Sequence, residues 1–229
     1  MPIGTLVNVL AIIVGSLIGT LFNKSLSERM RTIVFQGLGL CVIIIGIQMA
    51  LTVQELLILV FSILLGAVTG EALNLERQLE RIGGGLKKRF GSEDSRFTDG
   101  FVTASLIFCV GSMAVLGALD DGIRGDHTIL FTKSVLDGVA CIPLASTFGI
   151  GVAFSALPIL IYQGGITLLA SQAQSFFTPE ILGQITAVGG VLILGIGINL
   201  LGLMRVRVTN MLPALGYAVL LHLATTVIS

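Results

Sequence analysis

Apolar runs of roughly 20 residues follow one another along almost the whole chain, each about the length a helix needs to cross a bilayer core. They fall at about 3–22, 34–51, 55–73, 98–119, 129–149, 151–171, 183–203 and 210–228. Of 229 residues, 54% are hydrophobic and 11% charged, at a mean hydropathy of +1.01. One soluble core cannot bury that much apolar surface, so lipid is the solvent. The runs are rich in Leu, Ala and Gly and lack the polar alternation of a barrel strand. The predicted fold is therefore all-α: a polytopic transmembrane helical bundle of about eight helices, forming a single integral membrane domain over 1–229.

The first run, Ile3 to Phe22, lacks a basic leader and a small-residue cleavage site, so it reads as a retained span rather than a signal peptide. The fifth and sixth runs are separated only by Gly149-Ile150-Gly151, which leaves room for a tight hairpin or a pair of broken half-helices. Net charge is zero and no basic stripe carries interleaved aromatics, so nucleic acid is not an expected partner. Cys41, Cys109 and Cys141 lie inside apolar runs as small hydrophobes, with neither a disulfide framework nor metal-ligand spacing.

The segment 27–50 recurs faintly at 178–201, with Gly39, Ile45, Gly46 and Ile47 falling on Gly190, Ile196, Gly197 and Ile198. Basic residues mark the cytoplasmic ends of spans. Lys24, Arg29 and Arg31 follow the first run; Arg77, Arg81, Lys87, Lys88, Arg89 and Arg96 follow the third; Arg205 and Arg207 follow the seventh. Glu55, the acidic turn Asp120 to His127 and the segment Ser171 to Glu180 fall on the other side. The expectation is cytoplasmic basic loops, both termini outside, and helices 1–3 inverted relative to helices 6–8. Repeat A then covers about 3–73, a cytoplasmic loop about 74–97, a central pair about 98–149, and repeat B about 151–228. Inverted repeats of this kind build many secondary transporters, with the substrate near the bilayer midplane. A short surface helix is expected at Leu75 to Ile82. Gly83-Gly84-Gly85 lacks the preceding strand and G-K-[ST] ending of a phosphate loop.

Ionisable residues inside spans are costly and are site candidates by default. Lys133 and Asp137 stand four apart on the fifth helix and can pair, either as part of a cavity binding a carboxylate, a proton or Na⁺, or as a structural ion pair with Lys133 snorkelling. Small residues from Gly111 through Ser112 to Ala118 form a close-packing face that ends at Asp120 and Asp121, either a solvated turn or an external cation-attracting mouth. Asn8, Gln36, Gln48, Gln163 and Asn199 need hydrogen-bond partners within apolar runs. Gln48 and Asn199 occupy matching repeat positions, and Gln163-Gly164-Gly165 weakens a helix beside an amide. His222 reads as a packing histidine, and Glu71 as marking the interface.

No HExxH, GxSxG, paired-His or Cys-His arrangement occurs, so an enzyme is not expected. The functional expectation is a secondary transporter or facilitator of a small solute or ion across the bacterial inner membrane. Lys133, Asp137, Ser112, Asp120, Asp121, Gln163, Asn8, Gln48 and Asn199 line its site. No cofactor and no metal are expected, and an Na⁺ or H⁺ gradient would drive it. Lipid is one partner, and the glycine-rich helices also suit a homodimer. The alternatives are a non-transporting assembly or sensor module, whose polar residues glue helices together, and an ion channel.

Across residues 108–165 the chain resembles the YdfK and YqgA-like family of bacterial inner-membrane proteins, and the similarity extends back to GTLVNVLAIIVGSLIG at 4–19. Its more specific elements are Gly111 to Met113, Lys133 to Gly138 and Tyr162 to Gly164. The resemblance implies a multi-pass protein of the bacterial inner membrane and brings no established substrate.

Overall fold

The computed structural model describes residues 2–23, 28–89, 96–109, 112–170 and 177–228, and its regular structure is helical throughout. In chain order the helices are α1 (Ile3–Asn23), α2 (Glu28–Ala50), α3 (Leu56–Leu73), α4 (Leu75–Arg89), α5 (Phe97–Cys109), α6 (Ser112–Arg124), α7 (Thr128–Phe148), α8 (Ala156–Leu168), α9 (Pro179–Leu200) and α10 (Pro213–Ile228). Short 3-10 segments cover Gly149–Ser155 and Val208–Met211. Among the described residues, five helical stretches are long and apolar enough to cross a membrane, or six if the bent pair α5 and α6 forms one span. The chain divides into two compact units, Met1–Phe35 with Ile82–Phe176 and Gln36–Arg81 with Phe177–Ser229.

In the first unit, α1 runs parallel to α7. Gly4 packs on Leu130, Gly15 on the carbonyl of Gly138 beside Cys141, and Gly19 on the carbonyl of Ile142 beside Ala145. A methyl group at Gly15 or Gly19 would run into backbone, so these glycines set how closely the helices approach. The opposite face of α1 leaves Leu10, Val14 and Leu17 exposed, as a lipid-facing stripe requires. The expected span 98–119 is two helices, since α5 and α6 stand at 62° to each other. Hydropathy registers only that the run is apolar and carries nothing about helix direction. Val110 and Gly111, between these two helices in the chain, lie outside the described residues.

The stretch Thr128–Leu168 is apolar over 41 residues, but it is not one straight rod. Asn8 Nδ2 reaches Asp137 Oδ2 at 3.1 Å and Gln163 Oε1 at 3.4 Å. Unbroken helix would separate positions 137 and 163 by about 39 Å. The chain therefore reverses between them, through the 3-10 segment, and α8 returns antiparallel to α7 and α1. Gly149 makes the reversal possible, because its φ of 76° and ψ of −160° suit glycine and are strained for other residues. The tight hairpin is thus the form that Gly149-Ile150-Gly151 takes. Phe97 and Phe154, with ring centroids 5.0 Å apart, pack α5 against it. Ser146 and Thr147 donate to the carbonyl of Pro143, each at 2.8 Å, so these hydroxyls are satisfied within their own helix.

In the second unit, the part of α2 from Gln36 onward lies antiparallel to α9. Gly39 meets Gly197 and Gly46 meets Gly190, each pair in reciprocal close contact with the other's carbonyl. The helix α3 lies antiparallel to α10, with Gly66 on Ala214 and Gly70 on the carbonyl of Asn210. Thr69 and Tyr217 share a hydroxyl–hydroxyl bond of 2.9 Å across that contact. Val188, Ala214 and Ala218 form a small core covered by Leu59, Ile63 and Leu215. At one end, Glu71 pairs with Arg207 (2.6 Å) and accepts from Asn210 (2.8 Å), and Arg205 pairs with Glu76 (3.0 Å). At the other, Glu55 faces His222 across 3.7 Å. The surface helix expected at 75–82 continues through the triple glycine to Arg89, and Gly84 and Gly85 have open space around them.

Candidate functional site

Asp137 stands midway along the 21 residues of α7 and is 8% exposed; Lys133, one turn earlier, is 6% exposed. Their spacing of four residues stacks them on one face, and they form a direct ion pair. Charges buried to this degree need full hydrogen bonding, because desolvation opposes them. Asn8, fully buried on α1, supplies it by donating to Asp137 Oδ2, and the same amide nitrogen reaches Gln163 on α8. Gln163, also fully buried, donates to Thr5 Oγ1 at 3.1 Å, and Thr167 donates to the Gln163 carbonyl at 3.1 Å. The Lys133 ammonium stands 5.9 Å from the centre of the Phe108 ring, which adds a cation–π contact from α5. Three helices thus bring Thr5, Asn8, Lys133, Asp137 and Gln163 into one connected polar cluster inside an apolar bundle. Its chemistry is donor-rich, with one cation, one carboxylate and two amides.

The remaining candidates go elsewhere. Asp121 is buried at the C-terminal end of α6 and accepts the backbone N–H of Gly4 at 3.1 Å, in the first turn of α1. A carboxylate there satisfies a free helix-terminal donor and complements the positive end of the dipole. His127 Nδ1 also lies 2.5 Å from Asp121 Oδ1, without hydrogen-bond alignment. Asp120 faces Arg124 at 3.6 Å, on the exposed side of the same turn. Asn199 closes the turn after α9, its amide donating to the Val206 carbonyl and accepting the Val206 N–H, both at 2.7 Å. Gln48 is exposed on α2. With Gly39 opposite Gly197 and Gly46 opposite Gly190, Gln48 sits level with Val188, about 16 Å along α9 from Asn199. The two matching amides therefore do not share a site. Ser112 opens α6, and its side chain lies outside the described residues.

Thr5 and Phe108 belong to the cluster without having been singled out from the sequence. Thr5 precedes Asn8 by three residues, on the same helical face, and that spacing was the available signal. Phe108 carries no comparable mark. Among the described residues no three His, Cys, Asp or Glu side chains converge on a metal position.

The model of a family described as a protein of unknown function (DUF554) matches residues 3–223. The chain belongs to this family. It is similar to a protein of Bacillus subtilis (strain 168) named as the uncharacterized membrane protein YdfK. The two are 36% identical over 218 residues, covering 93% of this chain and 92% of the relative. It is also similar to the uncharacterized protein YqgA of Escherichia coli (strain K12), at 32% identity over 231 residues, 99% of this chain and 98% of that one. No solved structure matches. The DUF554 match takes in every member of the polar cluster, from Thr5 to Gln163.

Proposed function

We propose that this membrane protein is a secondary transporter or facilitator of a small solute or ion across the bacterial inner membrane, with the Thr5, Asn8, Lys133, Asp137 and Gln163 cluster as its binding site. The carrying observation is the burial of an ion pair and two amides in the middle of lipid-spanning helices, where polar groups are expensive and serve substrate or ion pathways. The reading assigns no enzymatic step and no cofactor. An ion gradient, Na⁺ or H⁺, supplies the energy.

Antiparallel pairings of the kind an inverted repeat would give support it. Within the second unit α2 and α3 are antiparallel to α9 and α10, and within the first unit α1 is antiparallel to α8. If Gly39 corresponds to Gly190 and Gly46 to Gly197, a two-fold axis turns the Gly39–Gly197 contact into the Gly190–Gly46 contact, and both occur. The basic residues Arg205 and Arg207 meet the end of α3 at one pole of their unit, opposite Glu55 and His222. In the first unit the N-terminus of α1 meets the acidic end of α6. This pattern favours cytoplasmic basic loops and external termini. Lipid surrounds the bundle, and a second copy of the chain is a further expected partner.

The rival reading is a non-transporting assembly or sensor module, favoured by the fact that Lys133 and Asp137 neutralise each other within one helix. A channel is a third reading, marked by currents beyond the rate of alternating access. A thermal-shift screen of the full chain in detergent, over amino acids, carboxylates, nucleobases and mono- and divalent ions, separates them. A ligand that stabilises the protein, but not Lys133→Met, is the expected result. A folded, monodisperse protein that no ligand shifts would sink the transporter reading.

A further inference from the structure

Asn8 carries an acceptor that its surroundings do not use. Its Nδ2 donates twice, to Asp137 and Gln163, while Oδ1 is buried and has no hydrogen-bond partner. A buried amide oxygen without a donor is uncommon and unfavourable, so another state of the cluster should supply one. Asp137 is the adjacent group able to do so: an ionised carboxylate only accepts, whereas a protonated one has an O–H to give. Protonation would take from Lys133 its counter-ion, and an unpaired buried ammonium is strongly disfavoured. A second anion at Lys133 resolves both defects together.

We propose that the cluster binds one small monovalent anion, of the carboxylate class, at Lys133 together with one proton at Asp137, and that the pair crosses the membrane as a unit. The proposal rests on the transporter reading and names its cargo and coupling ion. In the resting site the Lys133 ammonium and the Asp137 carboxylate sum to zero charge. In the loaded site the anion replaces Asp137 at the ammonium, the proton forms an O–H on Asp137 that is donated to Asn8 Oδ1, and the sum is again zero. Release reverses both steps. Gln163 Nε2 and the Thr5 hydroxyl are further donors to the anion, linked to each other in the resting state. The charged or titratable groups near Asp137 are Lys133 and Cys141 on its own helix and Cys109 on α5, with Tyr162 of α8 beside Cys109. From α1 and α8 the direct neighbours are the neutral Asn8 and Gln163. Thiols and phenol are ordinarily neutral at physiological pH, which leaves Asp137 as the proton carrier.

The test uses full-length protein in liposomes enclosing a pH-sensitive dye, with labelled L-lactate, glycolate, nitrate and chloride supplied outside. Inward movement of L-lactate or glycolate, more than of nitrate or chloride, should acidify the lumen without a compensating ionophore. Its apparent affinity should fall about tenfold per pH unit once Asp137 is mainly ionised in the empty site. Lys133→Met should lose anion uptake. Asp137→Asn, whose amide N–H imitates the protonated acid, should still show anion-dependent thermal stabilisation, now independent of pH and without proton movement. Failure of both L-lactate and glycolate to move protons overturns the proposal, as does a pH-dependent anion effect persisting in Asp137→Asn. Labelled L-alanine and Na⁺ in the same vesicles separate the two levels. If either moves while the anions do not, the transporter reading stands and this one falls; if nothing moves, both fall.

Discussion

In the first unit the helices around α1 and α7 close over Asn8, Lys133, Asp137 and Gln163, whereas in the second unit α2 and α9 meet through Gly39, Gly46, Gly190 and Gly197. The second unit keeps its ion pairs at its ends, where Arg207 is 56% exposed and Arg205 78% exposed at the side chain. Both solutions bring backbones close in a solvent that gives no hydrophobic drive between helices. The glycine contact gains dispersion and needs no polar partner. The polar contact gains chemistry, and it must satisfy each group it buries. A bundle that needed only to hold together could have used the glycine solution throughout. That contrast is why the first unit is the one to probe for ligand binding.

The largest effect should come from splitting the buried pair. Asp137→Leu leaves the Lys133 ammonium uncompensated and should destabilise the protein by about 3–5 kcal/mol, read as chemical unfolding in detergent. Adding Lys133→Met should recover most of that loss while ligand stabilisation stays absent. Recovery of both would collapse the distinction between the units. Next is Gly46→Val, whose new Cβ would lie 2.7 Å from the Leu194 nitrogen and 2.8 Å from the Gly190 carbonyl oxygen. It should cost about 1–3 kcal/mol, seen as a lowered melting temperature, with ligand binding by the surviving folded fraction unchanged. Asn8→Ala should cost about 1–2 kcal/mol and reduce ligand affinity at the same time, a coupling that Gly46→Val lacks. Arg207→Ala, at the exposed rim, should cost less than about 1 kcal/mol, and its effect should disappear in high salt.

Smallest of all is the exposed turn of the first unit. The Thr128 N–H donates to Asp126 at 2.9 Å, and hydrogen bonding to Thr128 holds the carboxyl below its ordinary value of 3.8. A lowered folded-state pKa gives stability that is complete above the unfolded value and is lost as pH falls through the folded one. Asp126→Asn should therefore lower the neutral melting temperature slightly, and its difference from the unsubstituted protein should disappear below about pH 4.

Much of this contrast was legible in single segments. The i, i+4 spacing of Lys133 and Asp137 implied their pairing, and the richness of the helices in glycine implied close packing. Gly149 between two apolar runs implied a reversal or a break. Asp121 misled because two adjacent aspartates before Gly122 look like a solvated turn, yet one of them is buried against the first turn of α1. Asn199 looked like half of a symmetric site, but the helix ends one residue later and its amide closes the turn. In each case the local pattern stated a need for a partner and left open which partner met it.

What the sequence by itself determined is the solvent, the helical form and the buried faces, because chain-wide hydropathy and the 3.6-residue period are local properties that no distant contact can reverse. What only the tertiary structure decided is the company Asp137 keeps. Asn8 lies 129 positions away in the chain and Gln163 lies beyond a reversal. A polar residue in lipid must find a hydrogen-bond partner, but periodicity fixes only the side of the helix on which it searches. The packing of α7 and α8 against α1 selects the partner.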